Sequence, residues 1–462
     1  MQPDWRAAEV ETVALLQSLI RFNTTNPPGN ELPLATYIAS LLEKEGIETR
    51  LLVPVPNRAT VVARLRGNGR QRPVMLLSHM DVVGVERDKW DFDPFEGVVQ
   101  DGYLYGRGAI DDKGMLAANL MTVLLLRRRI EHEGLKLERD VVFVTTADEE
   151  TGGQDGMTWL VAHHPELLDA EFAINEGGRT RIIEGGTRYL AVQTSEKVSH
   201  KVVLTARGPA GHAAIPLAGN AVFALAGALE KLSRYQEPVT LTATTRRFFE
   251  GLSEFWPEPA VRDAMRRLVC ADRGASDTAA STLSHTPVFN AVMRNGISPT
   301  MLSGGVAGNV IPAETGATLN VRTIPGELIE DVIRRMEACV DDPAVTIAIE
   351  SRGDDQVASD ADSTMFRAIV KAAHTLDPEM PVVPYLSTGG TDSAHLRRIG
   401  INAYGVLPFP MVQSDEERMH GHNERVPLPS LHFGTRLIYE SILEIAAGAD
   451  QKPAPDSMTA PL

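Results

Sequence analysis

Cysteine is almost missing from this chain. Cys270 and Cys339 are the only two in 462 residues, too few for a disulfide framework or a cysteine-ligated zinc knuckle. Any metal it binds must be held by His, Asp and Glu. Long apolar runs are also missing: no stretch approaches the roughly 20 uninterrupted apolar residues of a membrane-spanning helix. The first residues, Met1 to Glu11, lack the apolar centre of a signal peptide, so a cytoplasmic protein is expected. Positive charge is in deficit. Lys and Arg number 45 against 61 Asp and Glu, a formal net charge of −16. Neither nucleic acid nor anionic membrane is expected as a partner, because both need a basic footprint. Part of the acidic excess is available to ligate metal.

The remaining composition is that of a globular protein, 43% hydrophobic and 23% charged, and its length exceeds one ordinary core, so two domains are expected. Helical spacing runs over Ala7–Phe22, stopped by the turn Thr25-Asn26-Pro27-Pro28-Gly29, and over Leu32–Glu45. Strand-like segments follow at Glu48–Val53, Thr60–Leu65 and Val74–Ser78. An apolar helix covers Leu116–Arg128, and a continuous apolar strand covers Val141–Ala147. This alternation predicts an α/β domain, a sheet with helices on both faces, over residues 1–196. From Lys197 the pattern changes to strand–helix–strand–strand–helix–strand, ending with the helix Leu328–Val340 and the strand Val345–Glu350. That order predicts a small inserted α+β domain (βαββαβ) over 197–353. It carries an insertion of about 236–290 with Phe248, Phe249, Phe255 and Trp256. The α/β pattern resumes over 354–447, closing with a helix at Leu428–Ala446. The tail from Gly448 to Leu462 is expected to be disordered.

Short acidic and histidine clusters punctuate this framework. His79 and Asp81 are two apart, so on a strand both face one side, and a metal-binding His commonly passes its other ring nitrogen to a carboxylate or carbonyl. Asp111 follows Gly106-Arg107-Gly108 and precedes the long helix. One aspartate can bridge two cations with its two oxygens, as a two-metal hydrolase requires; alternatively, Asp111 or Asp112 caps the helix. A nucleotide-binding loop is excluded, because its third glycine would fall at Asp111, whose carboxylate repels pyrophosphate. Glu149 and Glu150 follow an apolar strand and diverge, which suits one metal ligand beside one general base. Glu176 closes the strand Phe172–Ile174 and is a further candidate ligand. His420 and His422 share the segment Met419-His420-Gly421-His422-Asn423-Glu424. Each signal is weak alone; their joint occurrence points to a two-metal hydrolase.

The order of these motifs resembles the co-catalytic zinc exopeptidases and deacylases, a family that includes acetylornithine deacetylase, succinyl-diaminopimelate desuccinylase, aminoacylase and glutamate carboxypeptidase. Besides the clusters above, the turn at 25–29, Gly106-Arg107-Gly108 with Asp111-x-Lys113-Gly114, and Gly389-Gly390-Thr391-Asp392 carry the likeness, which runs from about Leu15 to Ile445. It implies two zinc ions, for which cobalt or manganese substitutes. His79, Asp111 and Glu176 would bind one and Asp111, Glu150 and His420 the other, the family's His-x-x-Asn/Asp-Glu selecting His420 over His422. Asp81 would orient His79, and Glu149 would be the general base toward a hydroxide bridging the ions. The α/β domain would be catalytic, built on a mixed sheet flanked by helices. The inserted domain would be a lid and dimerisation domain of a homodimer, with His212 reaching the partner's site to stabilise the oxyanion. Asn309, Arg322, Gly389 and Gly390 would hold the substrate carboxylate. The insertion at 236–290 is longer than the smaller family members need. The implied reaction is metal-dependent hydrolysis of an N-acyl amino acid or short peptide beside a free carboxylate. A biosynthetic deacylase, such as a desuccinylase or acetylornithine deacetylase, and a metal-free binding or scaffold relative are the alternatives.

Overall fold

The computed structural model describes residues 3–270, 273–355 and 357–448; the expected disordered tail lies, beyond its first residue, outside them. The chain divides into two compact units. One runs up to Thr194, resumes at Ala358–Tyr385 and again from Thr391, and the other comprises Ser195–Val357 with Leu386–Gly390.

The larger unit is built on a mixed sheet. In spatial order its strands are Glu48–Leu52, Thr60–Leu65, Val141–Thr146, Val74–His79, Phe172–Asn175, Asn402–Gly405, Arg188–Glu196 and Val382–Ser387, with Arg179–Ile182 pairing Arg188–Glu196 off this path. Val74–His79 runs parallel to both Val141–Thr146 and Phe172–Asn175. Both faces are covered, which explains the unbroken apolar runs. Alternate residues serve opposite cores: Val74, Leu76, Val141 and Phe143 join one cluster, Met75, Leu77, Val142 and Val144 the other. The helix Lys113–Glu133 lies in the first cluster and ends at Gly134, whose φ of 70° suits a residue without Cβ. It extends past Arg128 because its terminal arginines find partners: Arg128 pairs with Glu11 and Glu45, and Arg129 with Glu133.

The smaller unit holds a four-stranded antiparallel sheet in the order Gly296–Gly304, Glu314–Thr323, Val198–Arg207, Val345–Ser351. Helices Ala221–Arg234 and Ile329–Val340 share a core with it around Val202, Leu204, Leu319, Val332 and Met336. Strand Gly296–Gly304 has no apolar alternation to announce it and is almost wholly exposed; its pairing to Glu314–Thr323 makes it a strand. The insertion folds into helices, Ala243–Phe255, Pro259–Cys270, Arg273–Leu283 and Pro287–Met293. Its aromatics pack on one another, with Phe249 and Phe289 edge to face at 5.7 Å and both buried. Among the described residues no helix is long and apolar enough to cross a membrane.

Candidate metal centre

Parallel strands deliver their carboxyl ends to one edge of the large sheet, where open α/β sheets place their ligands. His79 ends one strand, Glu149 and Glu150 follow the next, and Glu176 follows the third. Asp111 enters from the loop before the long helix. Gly108 shapes that loop: its φ is 88°, and an added Cβ would lie 3.0 Å from Val82 Cγ1 and 3.1 Å from Lys113 Cδ.

Asp111 joins two groups of donors. Its Oδ1 lies 3.0 Å from His79 Nε2, which is 3.8 Å from Glu176 Oε1. Its Oδ2 lies 3.0 Å from His420 Nε2, which is 3.3 Å from Glu150 Oε1. Within each trio the donor atoms lie within 4.8 Å of one another. His422 points elsewhere, with Nε2 2.9 Å from Glu86 Oε2. Asp112 precedes the helix without capping it; its Oδ2 accepts the His79 backbone N–H at 3.0 Å instead.

Asp81 organises the surroundings. His79 Nδ1 donates to the Asp81 carbonyl at 3.0 Å, since a carbonyl only accepts. Burial works against charge on the ring, but its bonds to Asp111 and Asp81 raise the His79 pKa well above the usual range. The Asp81 carboxylate accepts the backbone N–H groups of Glu149 and Glu150, both at 3.1 Å. Asn26 donates to it at 2.8 Å. Burial works against the Asp81 charge, but its hydrogen bonds hold its pKa below the usual range.

The electrostatics fit bound cations. Burial, reinforced by neighbouring carboxylates, pushes Glu149 and Glu176 well above the usual carboxylate range. Hydrogen bonds to Asp111 and Glu150 raise His420 to about 10. Glu150 Oε1 is buried, 3.3 Å from His420 Nε2. Crowded carboxylates of this kind are costly to ionise together, and divalent cations between them would remove the cost.

The profile of peptidase family M20/M25/M40 matches residues 75–444. The chain belongs to this family. Over 365 residues it is 28% identical to the N-fatty-acyl-amino acid synthase/hydrolase PM20D1 of Xenopus tropicalis, covering 77% of this chain and 69% of that one. It is 26% identical over 434 residues to aminoacylase-1 of Mus musculus, covering 91% of each. The M20 metallo-carboxypeptidase Sso-CP2 of Sulfolobus solfataricus has the same fold, with a TM-score of 0.69 at 19% identity over 94% of this chain and 99% of that one. As an M20 member the chain is a metal-dependent hydrolase of amide or peptide bonds.

The remaining candidate residues of this M20 chain lie in the smaller unit. His212 lies on a two-stranded ladder that pairs it with Val310, and Asn309 immediately precedes that partner strand. The His212 ring Nδ1 accepts the Ala214 N–H at 3.1 Å, and the Asn309 carbonyl accepts the Ala213 N–H at 3.0 Å. Arg322 donates to Asn320 Oδ1 at 2.9 Å, and a methyl group on Gly390 would lie 4.0 Å from its guanidinium. The Gly389 N–H donates to Ser387 Oγ at 3.2 Å. Burial lowers the Arg322 pKa against the opposing charge of Glu196.

Four supporting residues have no role in the sequence reading. Asn26 sits in the quoted turn and Arg107 in the quoted Gly-Arg-Gly. Glu424 closes the histidine segment, and Asp392 ends Gly-Gly-Thr-Asp. Asp392 accepts the Thr146 hydroxyl at 2.7 Å and raises the Glu149 pKa. Each lies inside a visible motif, but only its contacts give it a task.

Proposed function

We propose that this chain is a dinuclear zinc amidohydrolase that cleaves an N-acyl amino acid or short peptide beside a free carboxylate. The observation that carries this reading is Asp111, whose two oxygens each lie 3.0 Å from a different histidine and so open onto two donor trios. His79, Asp111 and Glu176 would hold one ion, and Asp111, Glu150 and His420 the other. Such imidazole and carboxylate donors suit zinc and admit cobalt or manganese. When bound, the pair supplies Lewis acidity and lowers the pKa of water.

The side chains do the rest. Glu149, whose pKa burial raises well above the usual carboxylate range, takes the proton of the attacking water and returns it to the leaving amine. Asp81 holds the Glu149–Glu150 turn and orients His79. Arg322 would grip the substrate carboxylate through its planar fork, with Asn309 and the Gly389–Gly390 backbone beside it. His212 would donate to the developing oxyanion from a partner subunit. A homodimer is supported by the exposed edge strand Gly296–Gly304, whose Met301 and Leu302 are 65% and 70% exposed. Relatives named for N-fatty-acyl-amino acid hydrolysis and aminoacylase activity support the substrate class.

Glu149→Ala should lower turnover by at least about 100-fold while zinc content, read by atomic emission, stays at the wild-type level; full activity would remove Glu149 as the base. Mixed dimers of Glu149→Ala and His212→Ala should recover part of the activity neither has alone, and no recovery would exclude action in trans. N-acetyl, N-succinyl, long-chain N-acyl and dipeptide substrates separate the acyl classes.

A further inference from the structure

Resting on the two-ion reading, we propose that Arg107 is a positioning residue for the second cation site, Asp111–Glu150–His420, and holds that site without touching its ion. The two trios are anchored differently. His79 ends a central strand and its side chain is 1% exposed, whereas the His420 side chain is 50% exposed and sits on a loop. His420 has a φ of 60°, uncommon outside glycine. Something outside the ring must therefore fix the loop.

Arg107 is placed to do so. Its side chain is 2% exposed, and Nη1 donates to Glu424 Oε2 at 2.7 Å. Nη2 donates to the carbonyls of Gly421 at 2.9 Å and of His420 and Gly84 at 3.3 Å. Glu424 in turn gathers the Asp111 loop. Its Oε1 accepts the N–H groups of Ile110 at 2.7 Å and Asp111 at 3.1 Å, and its Oε2 that of Gly108 at 3.1 Å. The buried pair thus fastens the backbone of Asp111 to the backbone of His420, ligands more than 300 residues apart in sequence. Adjoining strands Tyr103–Tyr105 and Arg425–Pro427 pair and bring the two loops side by side. An ordinary buried ion pair needs none of the three carbonyl contacts. The guanidinium makes them through Nη2 while Nη1 holds Glu424, a span that the single nitrogen of an ammonium lacks.

The two partners separate in their effects. Glu424 holds Asp111, which serves both trios; the carbonyl contacts of Arg107 reach only the His420 loop and Gly84. Arg107→Lys keeps the charge opposite Glu424 and loses the fork. Zinc titrations in a chelator buffer, read by atomic emission and calorimetry, should give two ions for the wild type. In Arg107→Lys the weaker-held ion should lose roughly 10–100-fold in affinity, as is usual when a supporting contact is removed, while the other shifts by less than about 3-fold. The profile should match that of His420→Ala, and Glu424→Gln should weaken both ions. Folding is checked by circular dichroism. If Arg107→Lys fails to fold, Arg107→Met combined with Glu424→Gln leaves no bare buried charge and should bind the His420-held ion at least as weakly. Two unchanged affinities, or equal losses at both sites in folded Arg107→Lys, would overturn the clamp. A wild type that binds no zinc would overturn the two-ion reading instead.

Discussion

Two hydrogen bonds separate Asp81 from a buried ion pair. Asn26 donates to Asp81 and accepts from Arg58 at 2.9 Å, and Arg58 lies 2.7 Å from Glu31. Burial and the charge of Asp81 push Glu31 up to about 7 despite Arg58. A carboxyl with a raised native pKa binds its proton more tightly folded than unfolded. Its contribution to stability is therefore full below its unfolded pKa near 4.5 and is lost as the pH rises through about 7. Relative to Glu31→Gln, the metal-free wild type should lose on the order of 3 kcal/mol across that interval. Urea unfolding at both ends measures it, and a pH-independent difference would contradict the shift. Asp81→Asn, which weakens its hold on His79 and on the Glu149–Glu150 turn, should cost roughly 10–100-fold in zinc affinity. Calorimetry checks this, and undiminished binding would leave Asp81 without that task.

At the scale of elements, the donors sit where strands stop. Val74–His79 and Val141–Thr146 are buried through their length, the first ending in a histidine and both followed closely by acids, so the edge that gathers the candidate donors was legible in sequence. So was the long helix, read as Leu116–Arg128, though not its first and last turns, since it runs Lys113–Glu133. Strand Gly296–Gly304 was not legible, because its pairing partner and not its own pattern makes it extended. The clamp was invisible for a related reason: Arg107 and Glu424 are 317 positions apart, and nothing local in either segment specifies the other. The insertion is a separate case. Its aromatics could have lined a pocket or packed together, and Phe248, Phe249 and Phe289 pack. Phe249→Ala should destabilise these helices by about 3–5 kcal/mol. Faster hydrogen exchange confined to residues 243–293, with zinc content unchanged, is the expected signature; unchanged exchange would mean the cluster does not hold the insertion.

For the molecule as a whole, the carboxylates gathered around Asp111 set a conflict that cations resolve. The formal charge of −16 overstates the negative field of the loaded protein, since divalent ions offset part of it. Loading should raise the melting temperature, because an ion that binds only the folded state stabilises it by about 4 kcal/mol at a thousand times its dissociation constant. Chelation should lower it by several degrees in calorimetry. Acidification should release the ions as imidazole and carboxylate donors take up protons. A melting temperature indifferent to zinc and chelator would be incompatible with these trios acting as ligands.

The spread of the donors along the chain also orders its biosynthesis. One complete donor trio, at positions 79, 111 and 176, has been translated before the smaller unit begins, whereas the other waits for position 420. A nascent polypeptide would therefore carry every donor of the first trio well before the last donor of the second is made. The second trio would be completed only by His420, the donor that arrives last.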